Sequence, residues 1–323
     1  MMGTFSNQRM AYGEALVALG RQDKRVVVLD ADLCKSTMSF LFQEAFPERF
    51  FEMGIAEQNM MSTAAGLAVS GKIAFASTFA VFATGRPYDQ IRQTISIGNL
   101  NVKICGSSCG LSDFGDGSTH QSIEDVAIMS AIPNMTILTP VDAAEVGLAV
   151  KLASEHQGPV YIRVNRNNVL DVLSPKDTLR FGQYRTLREG EDILIFAHGS
   201  MVEKALAAGT QLEKDGISAK VVSVTTMKPF NYEGAAELAK GMKGVVTVEE
   251  HSYIGGLAAA VAFALRKCAV PLEYVAINDE FGQSAHHYDE LQAAYGLTPE
   301  HIVRKAKSVA KGTKCSHKTA KHH

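Results

Sequence analysis

The chain alternates short apolar runs with longer stretches of helical spacing. Residues 26–29, 72–76, 102–105, 136–138 and 160–164 are mostly β-branched or aliphatic, the pattern of strands buried on both faces of a parallel sheet. Between the last two, Asp142 stands three residues ahead of Glu145, and the apolar stretch that follows stops at Gly158-Pro159. That predicts a helix with a capping-box start and a Gly-Pro stop. The pattern lapses over residues 171–192. There Ser174-Pro175-Lys176-Asp177 and a polar stretch dotted with Phe181, Tyr184 and Leu187 predict a linker and one short strand. It then resumes, with strands at 193–197, 219–224, 245–249 and 272–277 and helices at 200–214 and 256–267. This alternation on both sides of a break predicts an α/β chain of two doubly wound domains. Residues 1–180 form the first around a mainly parallel sheet, and residues 190–310 form a smaller one with a mostly parallel sheet.

Against this pattern one polar residue is out of place. Glu57 stands between the turn Met53-Gly54-Ile55-Ala56 and a run of small and apolar residues ending at Val69. The ordinary meaning of an acid there is a first-turn carboxylate facing free N–H groups and the helix dipole. The run after it holds Ser62, Thr63, Ala64, Ala65, Gly66 and Ala68, so the helix lets another backbone or a flat ligand come close. Burial of a carboxyl in a dry setting favours its neutral form and makes it a candidate for proton transfer.

Composition narrows the classes. The chain has 323 residues, 46% hydrophobic and 20% charged, with a net charge of −2. This is globular composition, and the charge carries no electrostatic footprint for nucleic acid. The five cysteines, Cys34, Cys105, Cys109, Cys268 and Cys315, are irregularly spaced. Cys105 and Cys109 lack a second pair, so no zinc site is expected, and reduced thiols fit a cytoplasmic chain. Residues 1–9 are polar, without a signal-peptide pattern. The most apolar window, 73–83, is interrupted by Ser77 and Thr78 and is too short to span a bilayer. Residues 311–323 are basic without an apolar pattern, and this tail reads as disordered.

In open α/β sheets, catalytic groups gather where strands end. Four stretches qualify: residues 30–36, with Asp32 and Ser36; the Glu57 turn; residues 77–82; and residues 110–121, rich in Gly, Asp and Ser and carrying His120. The last reads on its own as an Asp-Gly turn with a histidine satisfied by backbone, and it lacks the lysine of a phosphate loop. Phe79 and Phe82 are three apart, the spacing of one helical face, which serves core packing or a platform for a planar ring.

Taken in order, several motifs of this chain resemble those of transketolases. They are Gly54-Ile55-Ala56-Glu57-Gln58, Ser77-Thr78-Phe79-x-x-Phe82, Asp116-Gly117-x-Thr119-His120-Gln121, Ile132-Pro133-Asn134-Met135, and Glu249-Glu250-His251 with Gly255-Gly256. The resemblance covers residues 8–310 and corresponds to that family's pyrimidine-binding and C-terminal domains. It implies a thiamine diphosphate enzyme that transfers a two-carbon ketol unit from a ketose, or its phosphate, to an aldose acceptor. Glu57 matches the carboxylate that hydrogen-bonds the cofactor's aminopyrimidine ring and moves a proton through it. Phe82 and Phe79 match the aromatics of the ring's pocket, and Asp32 an acid near the cofactor. Asp116 and His120 match residues that contact the ketose hydroxyls, with His120 in the catalytic set. Arg9, Ser36 and Arg166 match positions that hold a sugar phosphate, and two arginines suit a dianion.

The chain also departs from the family. Gly115 stands where transketolases carry Glu, Ser108 where they carry a phosphate-binding His, and Gly85 where a third aromatic closes the pyrimidine pocket. A weaker phosphate grip is expected. Gly115-Asp116-Gly117 falls in the substrate loop, so no domain is left for the diphosphate and Mg2+. The resemblance therefore implies an N-terminal partner subunit holding both, no metal ligands in this chain, and self-association into a dimer within a heterotetramer. The last domain is expected to stabilise that dimer and carry little chemistry. Three other readings share features with this one. The β subunit of a 2-oxoacid dehydrogenase has the same two domains, but Phe79-x-x-Phe82 and Thr119-His120-Gln121 favour transketolase. Chemistry like that of 1-deoxyxylulose-5-phosphate synthase belongs to single long chains. A non-catalytic subunit would be expected to lose Glu57 first.

Overall fold

The computed structural model describes residues 4–174 and 176–310. Seven strands form the first sheet, in the order Thr226–Lys228, Thr136–Leu138, Val160–Arg163, Val102–Ser107, Ile73–Phe79, Val26–Asp30, Phe50–Glu52. All pair in parallel except Thr226–Lys228. Every residue of Val26–Asp30, Ile73–Phe79, Val102–Ser107 and Val160–Arg163 is buried, so both faces must be covered. Alternate residues serve opposite cores. Val26 and Val28 join Tyr12 and Leu16 of helix Gln8–Gln22 and Val146 and Ala149 of helix Ala143–Glu155. Val27 and Leu29 join Met60, Met61 and Ala64 of helix Glu57–Val69.

The second sheet has the order Leu272–Ile277, Gly244–Ser252, Ile193–Ala197, Ala219–Val224, Tyr184–Arg188, with only the last strand antiparallel. Helices Met201–Lys214 and Pro299–Ala310 cover one face of it. On the other face Leu194, Phe196, Val222 and Val224 share one core with Ile137 and Tyr161 of the first sheet. The two sheets are therefore joined by continuous apolar packing.

The structure differs from the pattern in three places. After Ala219–Val224 the chain crosses back, and Thr226–Lys228 adds to the first sheet beside Thr136–Leu138. A three-residue edge strand shows no period of two, so nothing in the pattern marks it. Phe5–Asn7 and Asn168–Leu170 form a small antiparallel ribbon that was not expected. The capping box is also altered. Asp142 Oδ1 accepts from Glu145 N–H at 2.8 Å, but the Glu145 carboxylate takes Val141 N–H and the Thr225 hydroxyl, each at 2.8 Å, so it ties the helix start to the second domain. Burial pushes the Glu145 carboxyl up to about 7.

Cys105 and Cys109 are buried free thiols, Cys34 is half-buried and Cys268 exposed. Among the described residues no helix is long and apolar enough to cross a membrane. The tail from residue 311, expected to be disordered, lies outside the described residues.

Candidate active site

The loops singled out in the sequence lie together at the carboxyl ends of the first sheet's strands. Gly54 adopts φ +67°, a left-handed turn that suits glycine. Glu52 fixes this turn, its Oε1 accepting from Gly54 N–H at 3.0 Å and from Asp32 N–H at 2.8 Å. Glu57 is the first residue of its helix and only 4% exposed. Its Oε1 accepts from Arg86 Nη1 at 2.7 Å. The carboxylate is therefore charge-compensated and does not sit in the dry apolar pocket that the sequence suggested. Its counter-ion is half outside: the Arg86 side chain is 48% exposed, and its guanidinium carbon lies 4.1 Å from the centre of the Phe82 ring.

Phe79 and Phe82 do not share a helical face. Phe79 ends strand Ile73–Phe79 and Phe82 lies in the short helix Ala80–Thr84. Their rings are nonetheless stacked, 6.0 Å apart and 17° from parallel. The His120 ring meets both edge-on, 5.3 Å from Phe82 and 6.2 Å from Phe79. Glu57, Phe82, Phe79 and His120 thus converge with Arg86 in one cluster.

The polar side of this cluster carries the anion-binding candidates. The Arg166 guanidinium lies 5.7 Å from the centre of Phe79 and donates to Asp113 Oδ2 at 3.0 Å. Arg9, at the start of helix Gln8–Gln22, donates to the Ser36 carbonyl at 2.9 Å. Burial and the like charge of Arg166 disfavour the charged form of Arg9, and Asp113 opposes them. Burial raises the Asp113 carboxyl and Asp116 adds to the rise, against Arg166 and His120. Arg9, Arg166, Asp113, Asp116 and His120 are thus one electrostatic group. Asp32 stays outside it: its backbone is left-handed at φ +62°, its side chain is exposed, and its contact is the backbone bond to Glu52. Asp30 holds that loop instead, accepting from Leu33 N–H, Thr37 Oγ1 and Ser39 Oγ within 2.8 Å. Burial pushes its carboxyl up to about 7.

The C-terminal domain fixes these loops, a larger part than the sequence suggested. Glu250 Oε1 accepts from Leu111 N–H at 2.6 Å, and its Oε2 takes Ser200 Oγ, Gln292 Nε2 and the Tyr288 hydroxyl. The Tyr288 hydroxyl in turn accepts from Asn165 Nδ2 at 2.9 Å, beside Arg166. Gln121 Nε2 donates to the Gln283 carbonyl at 3.0 Å, next to His120. The Glu249-Glu250-His251 motif is therefore a seam. Glu249 takes Leu257 N–H and Ala258 N–H at the start of helix Leu257–Ala264. A Cβ at Gly256 would collide with that carboxylate.

Three residues escaped the sequence reading: Arg86, Asp113 and Glu250. Arg86 had a signal, since it lies four residues past Phe82, a spacing at which side chains on a helical path meet. Asp113 stood in a quoted loop as a second acid, and only the fold shows its arginine. Nothing local marks Glu250 as reaching loop 110–121.

Two family models match the chain, the transketolase pyrimidine-binding domain over residues 6–171 and the transketolase C-terminal domain over residues 182–302. The chain belongs to the transketolase family. A transketolase relative from Methanocaldococcus jannaschii, provisionally named a C-terminal section, is 42% identical over 309 residues, covering 94% of this chain and 96% of its own. A 6-deoxy-6-sulfo-D-fructose transketolase subunit from a Clostridium species is 41% identical, covering 93% of this chain and 94% of its own. A split-gene transketolase solved as an inactive β4 tetramer superposes with a TM-score of 0.86 at 46% identity, over 94% of this chain and 98% of that one.

Proposed function

We propose that the chain is the C-terminal subunit of a two-chain transketolase. With an N-terminal partner it transfers a two-carbon ketol unit from a ketose, free or phosphorylated, to an aldose. The observation that carries this reading is the convergence of Glu57, buried and hydrogen-bonding through Oε1, with the stacked Phe79–Phe82 pair and the His120 ring. The pocket fits an aminopyrimidine: a planar, N–H-bearing group, the Arg86 guanidinium, already lies on Phe82 and donates to Glu57. Thiamine diphosphate, when bound, supplies the nucleophilic carbon that amino-acid side chains lack.

Each residue then has a role. Phe82 and Phe79 hold the ring by its face. Glu57 Oε1 holds or passes a proton at the ring's edge, which general acid–base catalysis places within hydrogen-bond reach. His120, beside those aromatics, contacts the donor's hydroxyls together with Asp116. Arg9 and Arg166 receive the anionic end of the sugar, with Ser36, whose carbonyl already accepts from Arg9. Asp113 offsets part of the Arg166 charge, which supports the weaker phosphate grip expected from Ser108 and Gly115. Mg2+ and the diphosphate are assigned to the N-terminal partner, on the ground that this chain matches only the family's pyrimidine-binding and C-terminal domains. The Clostridium relative is itself named a subunit, and the solved split-gene neighbour is a β4 tetramer, which supports self-association of this chain; a heterotetramer with the partner, in the cytoplasm, is our reading of the assembly.

The test is reconstitution of the chain with a candidate N-terminal partner, thiamine diphosphate and Mg2+, followed by a ketol-transfer assay over free and phosphorylated ketoses. Transfer that needs both chains is the expected result. Decarboxylation of a 2-oxoacid without transfer from any ketose would contradict it.

A further inference from the structure

We propose that Arg86 is a displaceable occupant of the ring pocket. Its guanidinium takes both contacts that the aminopyrimidine would use, the Phe82 face and the Glu57 carboxylate, and ring binding requires it to swing out. This inference rests on the ring-pocket assignment of Glu57 and Phe82 and adds a residue to it.

The geometry shows why Arg86 can leave while Glu57 cannot. The Glu57 side chain is 5% exposed and that of Arg86 48%. The Arg86 backbone is anchored, its carbonyl accepting from Gln58 Nε2 at 3.2 Å. Its guanidinium has only the ion pair at 2.7 Å and the stack at 4.1 Å, among the described residues. Arg49 shows what a fixed arginine looks like here. It too stacks on a phenylalanine, 4.0 Å from the centre of Phe46, yet it also donates to the carbonyls of Asp23, Val26 and Gly20 and is 14% exposed. A guanidinium and an aminopyrimidine are both flat and both present N–H groups in their plane, so they compete for one face and one carboxylate. Arg86 thereby compensates Glu57 while the pocket is empty, sparing the chain an unpaired buried carboxylate.

The competition has a modest strength. A half-exposed ion pair and a half-exposed cation–π contact together correspond to roughly a fivefold to tenfold change in affinity. Thiamine without its diphosphate is the suitable probe, because it needs nothing from the partner. The full chain is titrated with thiamine by calorimetry as native protein, Arg86→Ala and Arg86→Gln, each with and without Glu57→Gln, after thermal melts show all six folded. Both Arg86 variants should bind thiamine about fivefold more tightly or better. In native protein the Arg86 side-chain N–H resonances, displaced by the Phe82 ring, should move to solvent-like positions as thiamine is added. Equal, weaker or absent binding by Arg86→Ala overturns the proposal, because Arg86 would then be orienting Glu57 and not occupying its site. The two levels separate cleanly. If Glu57→Gln leaves thiamine affinity unchanged in every background, the ring-pocket assignment fails. If Glu57→Gln weakens binding but Arg86→Ala does not tighten it, only the displaceable role fails.

Discussion

Asp125 and Glu57 are both buried carboxylates with an arginine close by, at 2.8 Å and 2.7 Å. Around Asp125 the partners are themselves buried, and only its Oδ2 accepts hydrogen bonds among the described residues. Its Oδ2 accepts from the Arg163 Nε and the Tyr161 hydroxyl, His251 lies alongside, and Arg163 also reaches the carbonyls of Ser122 and Glu250. Burial opposes ionisation of Asp125, but Arg163, His251 and Tyr161 outweigh it and hold the carboxyl below its usual range. Both side chains of that pair are at most 5% exposed. Glu57 has one partner, and that partner is half in water. The difference between the two pairs is thus the setting of the arginine: Arg163 is buried and held by two carbonyls besides, whereas Arg86 is half in water against one aromatic ring.

The largest expected effect lies on the buried side. Asp125→Ala leaves Arg163 buried and unpaired, which should cost about 3–5 kcal/mol of stability in chemical denaturation. A cost near that of a surface change would remove the distinction between the two pairs. Next is the seam that carries the pocket loops. Tyr288→Phe deletes a hydroxyl shared by Glu250 and Asn165 and should cost about 1–3 kcal/mol. In a reconstituted enzyme it should raise KM for the ketose more than it lowers kcat, as Arg166 shifts. On the exposed side, Arg86→Ala should cost less, about 1–2 kcal/mol, because Arg86 is half-exposed and its removal lets water reach the Glu57 carboxylate. A larger loss would make it a structural pair like Asp125–Arg163.

The smallest effect is a slope. Burial raises the Asp30 carboxyl from its ordinary value to about 7, so the native state binds a proton there more tightly than the unfolded chain does. The stability it contributes is full below about pH 4 and is lost as pH rises to about 7, with no further change above. Asp30→Asn should therefore show a flatter dependence of stability between pH 5 and pH 7 than native protein. Parallel slopes would show that Asp30 does not titrate in that window.

How far the sequence reads depends on the range of the interaction. The strands at 26–29, 102–105 and 219–224 and the helix after Asp142 are local patterns, and each stands where expected. Glu57 was legible because a helix start against small residues is also local. Thr226–Lys228 was not, because its pairing with Thr136–Leu138 spans the chain and three residues carry no period. Arg86 and Asp113 gained meaning only from the rings and arginines the fold sets beside them. Asp32 is the opposite case: its motif position suggests the cofactor, and locally it is an exposed residue at φ +62° whose N–H is held by Glu52.

The most direct measurement is ketol transfer by the chain carrying Glu57→Gln, reconstituted with its N-terminal partner, thiamine diphosphate and Mg2+. The substitution removes the carboxylate to which proton transfer is assigned and keeps its shape. With a thermal melt like that of native protein, turnover should fall by at least about a hundredfold. Near-native turnover in that well-folded variant would contradict the role given to Glu57.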